Sequence, residues 1–167
     1  MLQIYYGTGK GKTTAAVGAA VRAAGAGWHV CFAQFFKNGD SAEVAILRRL
    51  GIDCRFPDRP FTLGERIVGT VRTELVESYR RLLRTTLDTP RLPRLIVLDE
   101  ALDAFALALL DPDELLAFLD RYPDTEVILT GHTPVPVLME RADYRTQMHA
   151  ERHPYDHGVA ARKGIEW

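Results

Sequence analysis

The stretch Gly7–Thr14, GTGKGKTT, constrains the fold of this chain more than any other segment. It follows a short apolar segment, Gln3 to Tyr6, and precedes an alanine-rich segment from Thr13 to about Ala26. Glycine inside a strand or a helix costs up to about 1 kcal/mol relative to alanine, so three glycines in five residues suit neither element. The pattern therefore predicts a strand, a tight loop and a helix, in that order.

A loop of this composition at the start of a helix is typical of phosphate binding. Backbone N–H groups point into one concavity, a lysine reaches the terminal phosphates, a hydroxyl binds Mg²⁺, and the helix dipole favours the anion. The usual motif has four residues between its two outer glycines, whereas only three separate Gly7 from Gly11. The loop is therefore either a variant for a different phosphate pose or a glycine-rich turn without a ligand. The chain has only four lysines against seventeen arginines, and Lys10 and Lys12 both lie here, which favours the first interpretation.

Length and composition narrow the remaining possibilities. The 167 residues predict a single domain, residues 1–167. A formal net charge of -1 with 26% charged residues favours small-molecule partners, with no nucleic acid and no membrane. Cys31 and Cys54 lie in apolar segments and are expected to be reduced core residues. No apolar run reaches the roughly 20 residues that span a bilayer, so a cytoplasmic location is expected.

Apolar strands alternate with amphipathic helices along the rest of the chain. Strands are predicted at residues 3–6, 28–35, 52–56, 94–100, 126–130 and 144–149, with helices between them, including a long one from Thr62 to about Leu87. The strands are almost continuously apolar, which is typical of parallel strands covered on both faces. The predicted fold class is α/β, with a mainly parallel sheet of about six strands between two helical layers.

Two further segments are expected at the same sheet edge as the glycine loop. The strand that begins at Arg94 ends in Asp99 and Glu100, and the strand at residues 126–130 runs into Gly131 and His132. Parallel strands bring their carboxyl ends to one edge, so these polar residues are expected near the loop. Carboxylates at a strand end either bind a metal beside the phosphates or cap the following helix. The nearby glycine loop favours metal binding over helix capping as the role of Asp99 and Glu100.

Several motifs together resemble the P-loop ATP:corrinoid adenosyltransferases. The resemblance runs nearly end to end: it covers GTGKGKTTAAVGAAVRAAGAG with its shortened loop, AQFFKNG, LIVLDEA, LTGH and the tail RHPYDHGVAARKGIEW. The loop alone is shared with many nucleotide-binding proteins, whereas the ordered combination is far more specific.

The resemblance implies both a fold and a reaction. The fold is a P-loop nucleotide-binding, RecA-like three-layer sandwich. The reaction is the transfer of the 5′-deoxyadenosyl group of ATP to the Co(I) centre of a reduced corrinoid, with release of triphosphate, in adenosylcobalamin biosynthesis or salvage. The family binds ATP with the phosphates reversed, so that the 5′ carbon faces the cobalt. The implied partners are ATP, Mg²⁺, the corrinoid, an electron-donating flavoprotein or other reductase, and a second copy of the chain in a homodimer.

Carried over to this sequence, the resemblance assigns residues to three ligands. The predicted ATP-binding residues are Thr8, Gly9, Lys10, Gly11, Lys12, Thr13, Thr14, Arg22 and His132. Lys10 and Lys12 are expected to stabilise the leaving triphosphate, and no residue is expected to act as an acid or base, because Co(I) is already a strong nucleophile. Thr13, Asp99 and Glu100 are the Mg²⁺ candidates, with the choice between direct ligation by Asp99 or by Glu100 left open. The corrinoid candidates are Gln34, Phe35, Phe36, Lys37 and Phe61.

The chain departs from the family pattern at two positions. His132 stands where the family usually has arginine, and Leu63 stands where a Phe-Thr-Trp stretch would have tryptophan. Two alternatives therefore remain beside adenosyl transfer: a generic P-loop ATPase or kinase, and a nucleotide-dependent corrinoid-binding or delivery module with weak transfer. His153 and His157 are spaced like metal ligands, but two histidines without further ligands more often belong to a polar tail.

Overall fold

The sheet of this protein consists of six strands, all parallel to their neighbours. In the computed structural model, which describes residues 1–165 and only the backbone of residues 155 and 156, their order is β3-β2-β4-β5-β1-β6. The strands are β1 (Leu2–Tyr6), β2 (Val30–Gln34), β3 (Asp53–Arg55), β4 (Leu95–Asp99), β5 (Glu126–Gly131) and β6 (Tyr144–Gln147). The predicted α/β class and the count of about six strands are confirmed.

Helices cover both faces of the sheet. They are α1 (Lys12–Gly25), α2 (Ala42–Arg49), α3 (Gly69–Leu87), α4 (Ala101–Ala106), α5 (Pro112–Arg121) and α6 (Pro136–Arg141), followed by a 3₁₀ turn at Pro154–His157. One core cluster joins α1 and α2 to the sheet, and a larger one joins α3, α4, α5 and α6 to its other face. The predicted three-layer sandwich is therefore confirmed.

The small side chains of α1 explain how closely this helix packs against the sheet. The buried stripe of α1 is Ala16, Ala20 and Ala23, three small residues that let the helix approach the sheet. Every residue of β2 and β4 is buried, as expected for central strands covered on both faces. Close packing of α1 fixes the position of its N-terminal turn, where the glycine loop ends.

The strand order places the loop and the acidic residues on either side of β5. The strand β1 leads into the glycine loop, β4 ends at Asp99, and β5 pairs with both of them. All three strands deliver their carboxyl ends to the same edge, so three polar loops meet there.

The start of α3 differs from the expectation. The sequence predicts a helix from Thr62, capped by Glu65, but the helix begins at Gly69. The Glu65 carboxylate does accept a hydrogen bond from the Thr62 N–H at 2.7 Å, yet it also binds the Arg59 guanidinium. The capping pair thus closes a turn of the preceding loop, and the helix starts seven residues later, about two helical turns beyond Thr62.

The edge strand β6 positions the last part of the chain. All four of its residues are exposed, and it pairs only with β1 within the described residues. Met148 follows directly and donates a backbone hydrogen bond to the Tyr6 oxygen at 2.7 Å. The chain after β6 therefore runs past the end of β1, beside the glycine loop. No helix within residues 1–165 is long and apolar enough to cross a membrane.

Candidate active site at the carboxyl edge of the sheet

The glycine loop is held against the segment that follows β6. The Gly9 N–H donates to the Met148 carbonyl oxygen at 2.7 Å. Gly7 has a φ of 107°, and a Cβ at this position would lie 2.5 Å from the same oxygen. Both the left-handed backbone and the contact exclude a side chain, so position 7 requires glycine. Thr8 and Gly11 lie in this loop, and Thr13 and Thr14 lie in the first turn of α1.

Both loop lysines bind backbone oxygens. Lys12 Nζ donates to the carbonyl oxygens of Gly7 and Gly9, each at 2.8 Å, and thereby folds over the loop. Lys10 Nζ donates to the Ile165 carbonyl oxygen at 2.8 Å. Burial lowers the pKa of Lys12, although the carboxylates around the end of β4 oppose this effect. Both ammonium groups therefore have backbone carbonyl oxygens as hydrogen-bond partners.

Asp99 is fully buried and uses both of its oxygens. Its Oδ1 accepts from the Thr13 hydroxyl at 2.8 Å and from the Thr130 hydroxyl at 2.7 Å. Its Oδ2 accepts from Gln34 Nε2 at 3.1 Å and lies 3.7 Å from Lys37 Nζ. The structure therefore brings the predicted metal candidates Thr13 and Asp99 together. Thr130 was not predicted, because a threonine at the end of an apolar strand is equally typical of a buried strand residue.

Glu100 lies next to this cluster in an unusual backbone conformation. Its φ of 61° is rare for a residue other than glycine, and its N–H donates to the Thr130 hydroxyl at 2.8 Å. Glu100 Oε1 is 3.6 Å from Lys37 Nζ. Burial raises the pKa of Glu100 to about 7; the Lys37 charge opposes this, while the neighbouring Asp99 adds to it. Strained backbone and a raised pKa at one residue are typical of a functional site.

We expect Glu100→Gln to stabilise the protein above pH 7 when Mg²⁺ is absent, by on the order of 1 kcal/mol. A carboxyl whose pKa rises from 4.5 to about 7 holds its proton more tightly in the folded state, so its stabilising contribution is full below pH 4.5 and lost by about pH 7. Urea unfolding at pH 5 and pH 8 measures the effect. Glu151→Gln, at an exposed position, is the control. Equal stability of wild type and Glu100→Gln at pH 8 would contradict the raised pKa.

The turn after β5 is bound by a carboxylate that the sequence did not reveal. Asp103 Oδ2 accepts from the His132 N–H at 2.8 Å and lies 3.1 Å from His132 Nδ1. Asp103 Oδ1 accepts from the Thr133 N–H at 3.0 Å. His132 therefore lies at the predicted sheet edge, paired with an acid from α4. In the sequence, Asp103 is a polar residue in a helical segment, four residues after Asp99. That position alone does not show that its carboxylate binds the turn after β5.

An apolar cavity of about 570 Å³ opens beside the acidic cluster. Its walls include the rings of Phe36 and Phe61, which meet edge to face with centroids 5.6 Å apart. Its polar side is formed by Lys37, Glu100, Asp103 and Thr133, and its remaining lining by Leu63, Ala106 and Leu107. Leu63 is 96% exposed, so it forms an outer rim. Lys37 and Phe61, both predicted corrinoid residues, thus line one cavity.

Two other predicted corrinoid residues lie elsewhere. Phe35 is fully buried in the α3 face of the core, where its ring packs edge to face on Tyr79. Gln34 is also fully buried, and its Nε2 binds Asp99 and Glu43. Phe35 therefore belongs to the core and Gln34 to the acidic cluster, and neither lines the cavity. Phe36, the other aromatic candidate in this stretch, is the one that reaches the cavity.

Comparison with known proteins identifies the family. The sequence model described as ATP:corrinoid adenosyltransferase BtuR/CobO/CobP matches residues 1–167. The chain belongs to this adenosyltransferase family. It is similar to the corrinoid adenosyltransferase of Pseudomonas aeruginosa, with 30% identity over 100% of this chain and 83% of that protein. It is also 31% identical to the corrinoid adenosyltransferases of Escherichia coli K12 and Salmonella typhimurium, over 98% of this chain and 84% of each of those proteins.

A search of solved structures returns a more distant likeness. The replication initiator DnaA, bound to AMPPCP and single-stranded DNA, superposes with a TM-score of 0.46 and 14% identity. The superposition covers 98% of this adenosyltransferase and 48% of the DnaA chain.

Arg22 is separated from the other predicted nucleotide residues of this adenosyltransferase. It is exposed in the last turns of α1, ten residues after Lys12. At 1.5 Å per residue, this spacing is roughly 15 Å along the helix axis. The fold of a single chain therefore does not bring Arg22 to the glycine loop, and its contact with nucleotide stays a prediction.

The tail of the adenosyltransferase lies over the loop. A cavity of about 560 Å³ is lined by Lys10 and by residues 149–154 and 159–162, which include His153. A smaller one of about 210 Å³ is shared by the first turn of α1, Lys37, Glu43 and residues 164–165. His157 ends the 3₁₀ turn of this tail. The last two residues of the predicted family ending, 166 and 167, lie outside the described residues.

Proposed function

We propose that this chain transfers the 5′-deoxyadenosyl group of ATP to the Co(I) centre of a corrinoid and releases triphosphate. Membership of the adenosyltransferase family supports the overall reaction. The proposal depends on one observation: the cluster beside the glycine loop and the apolar cavity share two residues. Glu100 and Lys37 belong to the cluster around Asp99 and Thr13 and also line the apolar cavity. An ATP bound at the loop would therefore have a large apolar cavity immediately beside it.

The glycine loop supplies the triphosphate site of the proposal. Binding requires Lys12 to exchange the carbonyl oxygens of Gly7 and Gly9 for phosphate oxygens, and Lys10 to release the Ile165 oxygen. The N-terminal end of α1 adds its partial positive charge. These fixed charges stabilise the negative charge that develops on the leaving oxygen as the carbon–oxygen bond breaks.

The residues around Asp99 fit Mg²⁺ bound together with the phosphates. Mg²⁺ prefers oxygen ligands, keeps several waters and needs only one or two protein groups. Both oxygens of Asp99 are already hydrogen-bonded, and one of them holds the Thr13 hydroxyl. We therefore assign direct ligation to Thr13 and Glu100, with Asp99 orienting Thr13. Bound there, Mg²⁺ would neutralise charge on the leaving triphosphate.

The apolar cavity is the proposed corrinoid site. The edge-to-face pair of Phe36 and Phe61 offers apolar area to a flat macrocycle. In the reaction, the electron pair of Co(I) forms the cobalt–carbon bond at the 5′ carbon, and the electrons of the broken carbon–oxygen bond leave with the triphosphate. No proton moves, so the protein contributes positioning and electrostatic stabilisation only.

Phe61→Ala is expected to raise the KM for the corrinoid on the order of 10-fold, because the loss of a phenyl contact removes about 1.5–3 kcal/mol of apolar burial. The affinity for ATP should not change, since the residues that line the cavity with Phe61 include none from the glycine loop. Steady-state kinetics with each substrate varied in turn separates the two effects. Phe56→Ala, a partly buried phenylalanine outside the cavity, is the control. An unchanged corrinoid KM in Phe61→Ala would place the corrinoid elsewhere.

The remaining partners come from the family resemblance. We propose a homodimer, a cytoplasmic location, and an electron-donating flavoprotein or other reductase that supplies Co(I). Sedimentation velocity of the purified protein tests the dimer. A monomer at micromolar concentration would contradict it.

One experiment tests the reaction itself. The protein is mixed with ATP, Mg²⁺ and chemically reduced corrinoid while the visible spectrum and the phosphate products are followed. Adenosyl transfer produces a light-sensitive alkylcobalt spectrum and one triphosphate for each corrinoid. Release of ADP and phosphate would favour a P-loop ATPase or kinase, and ATP binding without a spectral change would favour a delivery module.

A further inference from the structure

The turn that carries His132 is held by a side chain from another element. Asp103, in α4, accepts two backbone hydrogen bonds, from the N–H groups of His132 and Thr133, at 2.8 and 3.0 Å. Its Oδ2 also lies 3.1 Å from His132 Nδ1. One carboxylate therefore fixes both the backbone of the turn and the plane of the imidazole.

Close packing beneath the turn makes this arrangement possible. A Cβ at Gly131 would lie 2.7 Å from Leu102 Cβ and 2.9 Å from Asp103 Oδ2. Real Cβ atoms are not found at such distances, so only glycine lets β5 approach α4 this closely. Gly131 thus serves the contact between Asp103 and the turn.

The Asp103 carboxylate is an ionised acceptor at neutral pH. Its partial burial would raise its pKa, but the hydrogen bonds from His132 and Thr133 hold the pKa of Asp103 below its usual value. An ionised carboxylate on Nδ1 favours the tautomer with its hydrogen on that nitrogen and sets the direction of the ring. The His132 side chain is 63% exposed, so most of the ring remains available to a ligand.

Asp103 borders both proposed substrate sites. Asp103 and Thr133 line the apolar cavity together with Glu100. The Asp103 charge also acts on the Lys12 ammonium, where it opposes the effect of burial on the pKa of Lys12. Gly131, at the start of the turn, pairs with Tyr6, which directly precedes the glycine loop. A nucleotide that reaches from Lys12 to the cavity would therefore run beside this turn.

We propose that Asp103 is a positioning residue that fixes His132 and the turn at residues 131–133 against the nucleotide. This inference rests on the proposed function, because the path of the nucleotide follows from it. The Asp103–His132 pair then stands where the family resemblance leads one to expect a single arginine. Asp103 acts through His132 and the turn, and does not itself contact the reacting atoms.

The test compares Asp103→Asn, Asp103→Ala, His132→Ala and the double variant Asp103→Ala/His132→Ala. The asparagine variant has the same shape, but its amide nitrogen is a donor and cannot accept a hydrogen bond from the N–H groups of the turn. We expect each single variant to raise the KM for ATP on the order of 10-fold, with kcat at saturating ATP changed less than about twofold. The double variant should raise KM no further than the larger single effect, because both residues act as one unit.

Asp111→Ala is the matched control, since Asp111 also accepts a backbone hydrogen bond, from the Asp113 N–H at 3.0 Å, but at the start of α5. It should lower the melting temperature without moving the KM for ATP. The inference would be overturned if an Asp103 variant, like this control, left the KM for ATP unchanged. It would also be overturned if the two single effects on KM multiplied in the double variant. Neither result would contradict adenosyl transfer.

Equilibrium binding of ATP without corrinoid provides a readout that does not depend on turnover. We expect the Kd of Asp103→Asn and of His132→Ala to rise by the same factor as the KM. An unchanged Kd in both variants would overturn the positioning role even if the wild-type protein failed to transfer adenosyl. Absence of transfer in the wild-type protein would instead contradict the proposed function.

Discussion

Lys12→Ala will lower the rate of adenosyl transfer on the order of 10²- to 10³-fold. Lys12 is the half-buried cation of the glycine loop, and its Nζ already lies 2.8 Å from two carbonyl oxygens that face it. Removing a fixed donor aimed at developing negative charge has an effect of this size in other enzymes. The formation of alkylcobalt under single-turnover conditions measures the rate without interference from product release.

The control for Lys12→Ala is Lys163→Ala, which removes another of the four lysines from an exposed position. It should transfer adenosyl at the wild-type rate. The Lys12 variant will also lose the hydrogen bonds to Gly7 and Gly9, so its ATP affinity and its melting temperature need to be measured alongside. A Lys12→Ala protein that binds ATP and keeps more than about a tenth of the wild-type rate would exclude leaving-group stabilisation by Lys12.

The parts of the fold that were predictable from sequence depend on local signals. The loop, α1 and the acidic end of β4 each combine a composition signal with a defined place beside a strand. Such signals need no knowledge of distant partners, which is why these elements lie within one or two residues of their predicted bounds.

The site residues whose roles the sequence did not distinguish depend on contacts across the fold. Phe35 and Phe36 are adjacent aromatics, and nothing local tells them apart. The backbone turns to a φ of 57° at Phe36, where its N–H donates to the Tyr79 hydroxyl at 3.0 Å. This contact, 43 residues apart in sequence, leaves Phe35 in the core and directs Phe36 toward the cavity.

The same reasoning explains Asp103 and the late start of α3. The partners of Asp103 lie about 30 residues downstream, so its helix pattern alone could not show that it binds the turn after β5. Thr62 and Glu65 do carry a real local capping signal, but Arg59 competes for the carboxylate and keeps it in the loop. When the local sequence around a polar residue is compatible with two roles, its contacts with distant parts of the chain thus decide between them.

Inserting one residue between Gly9 and Lys10, which restores the common loop length, should abolish adenosyl transfer while ATP binding survives within about tenfold. The loop is fixed at three points: Gly9 to Met148, Gly7 against the Met148 oxygen, and Lys12 across both glycines. A longer loop has to release at least one of them, which would move the phosphates relative to Glu100 and the cavity. Since the reaction depends on placing the 5′ carbon against cobalt, we expect a loss on the order of 10²-fold or more.

A single glycine inserted after Pro90 is the matched control for the longer loop. Residues 88–91 form an irregular connection between α3 and β4 at the opposite edge of the sheet, so this insertion tests the cost of lengthening the chain alone. It should retain the wild-type rate of transfer. Direct ATP titration and the single-turnover alkylcobalt assay then separate binding from chemistry in both variants. If the lengthened glycine loop transfers adenosyl as fast as the wild type, the short loop is not an adaptation to triphosphate as leaving group, and its length reflects only its packing against Met148.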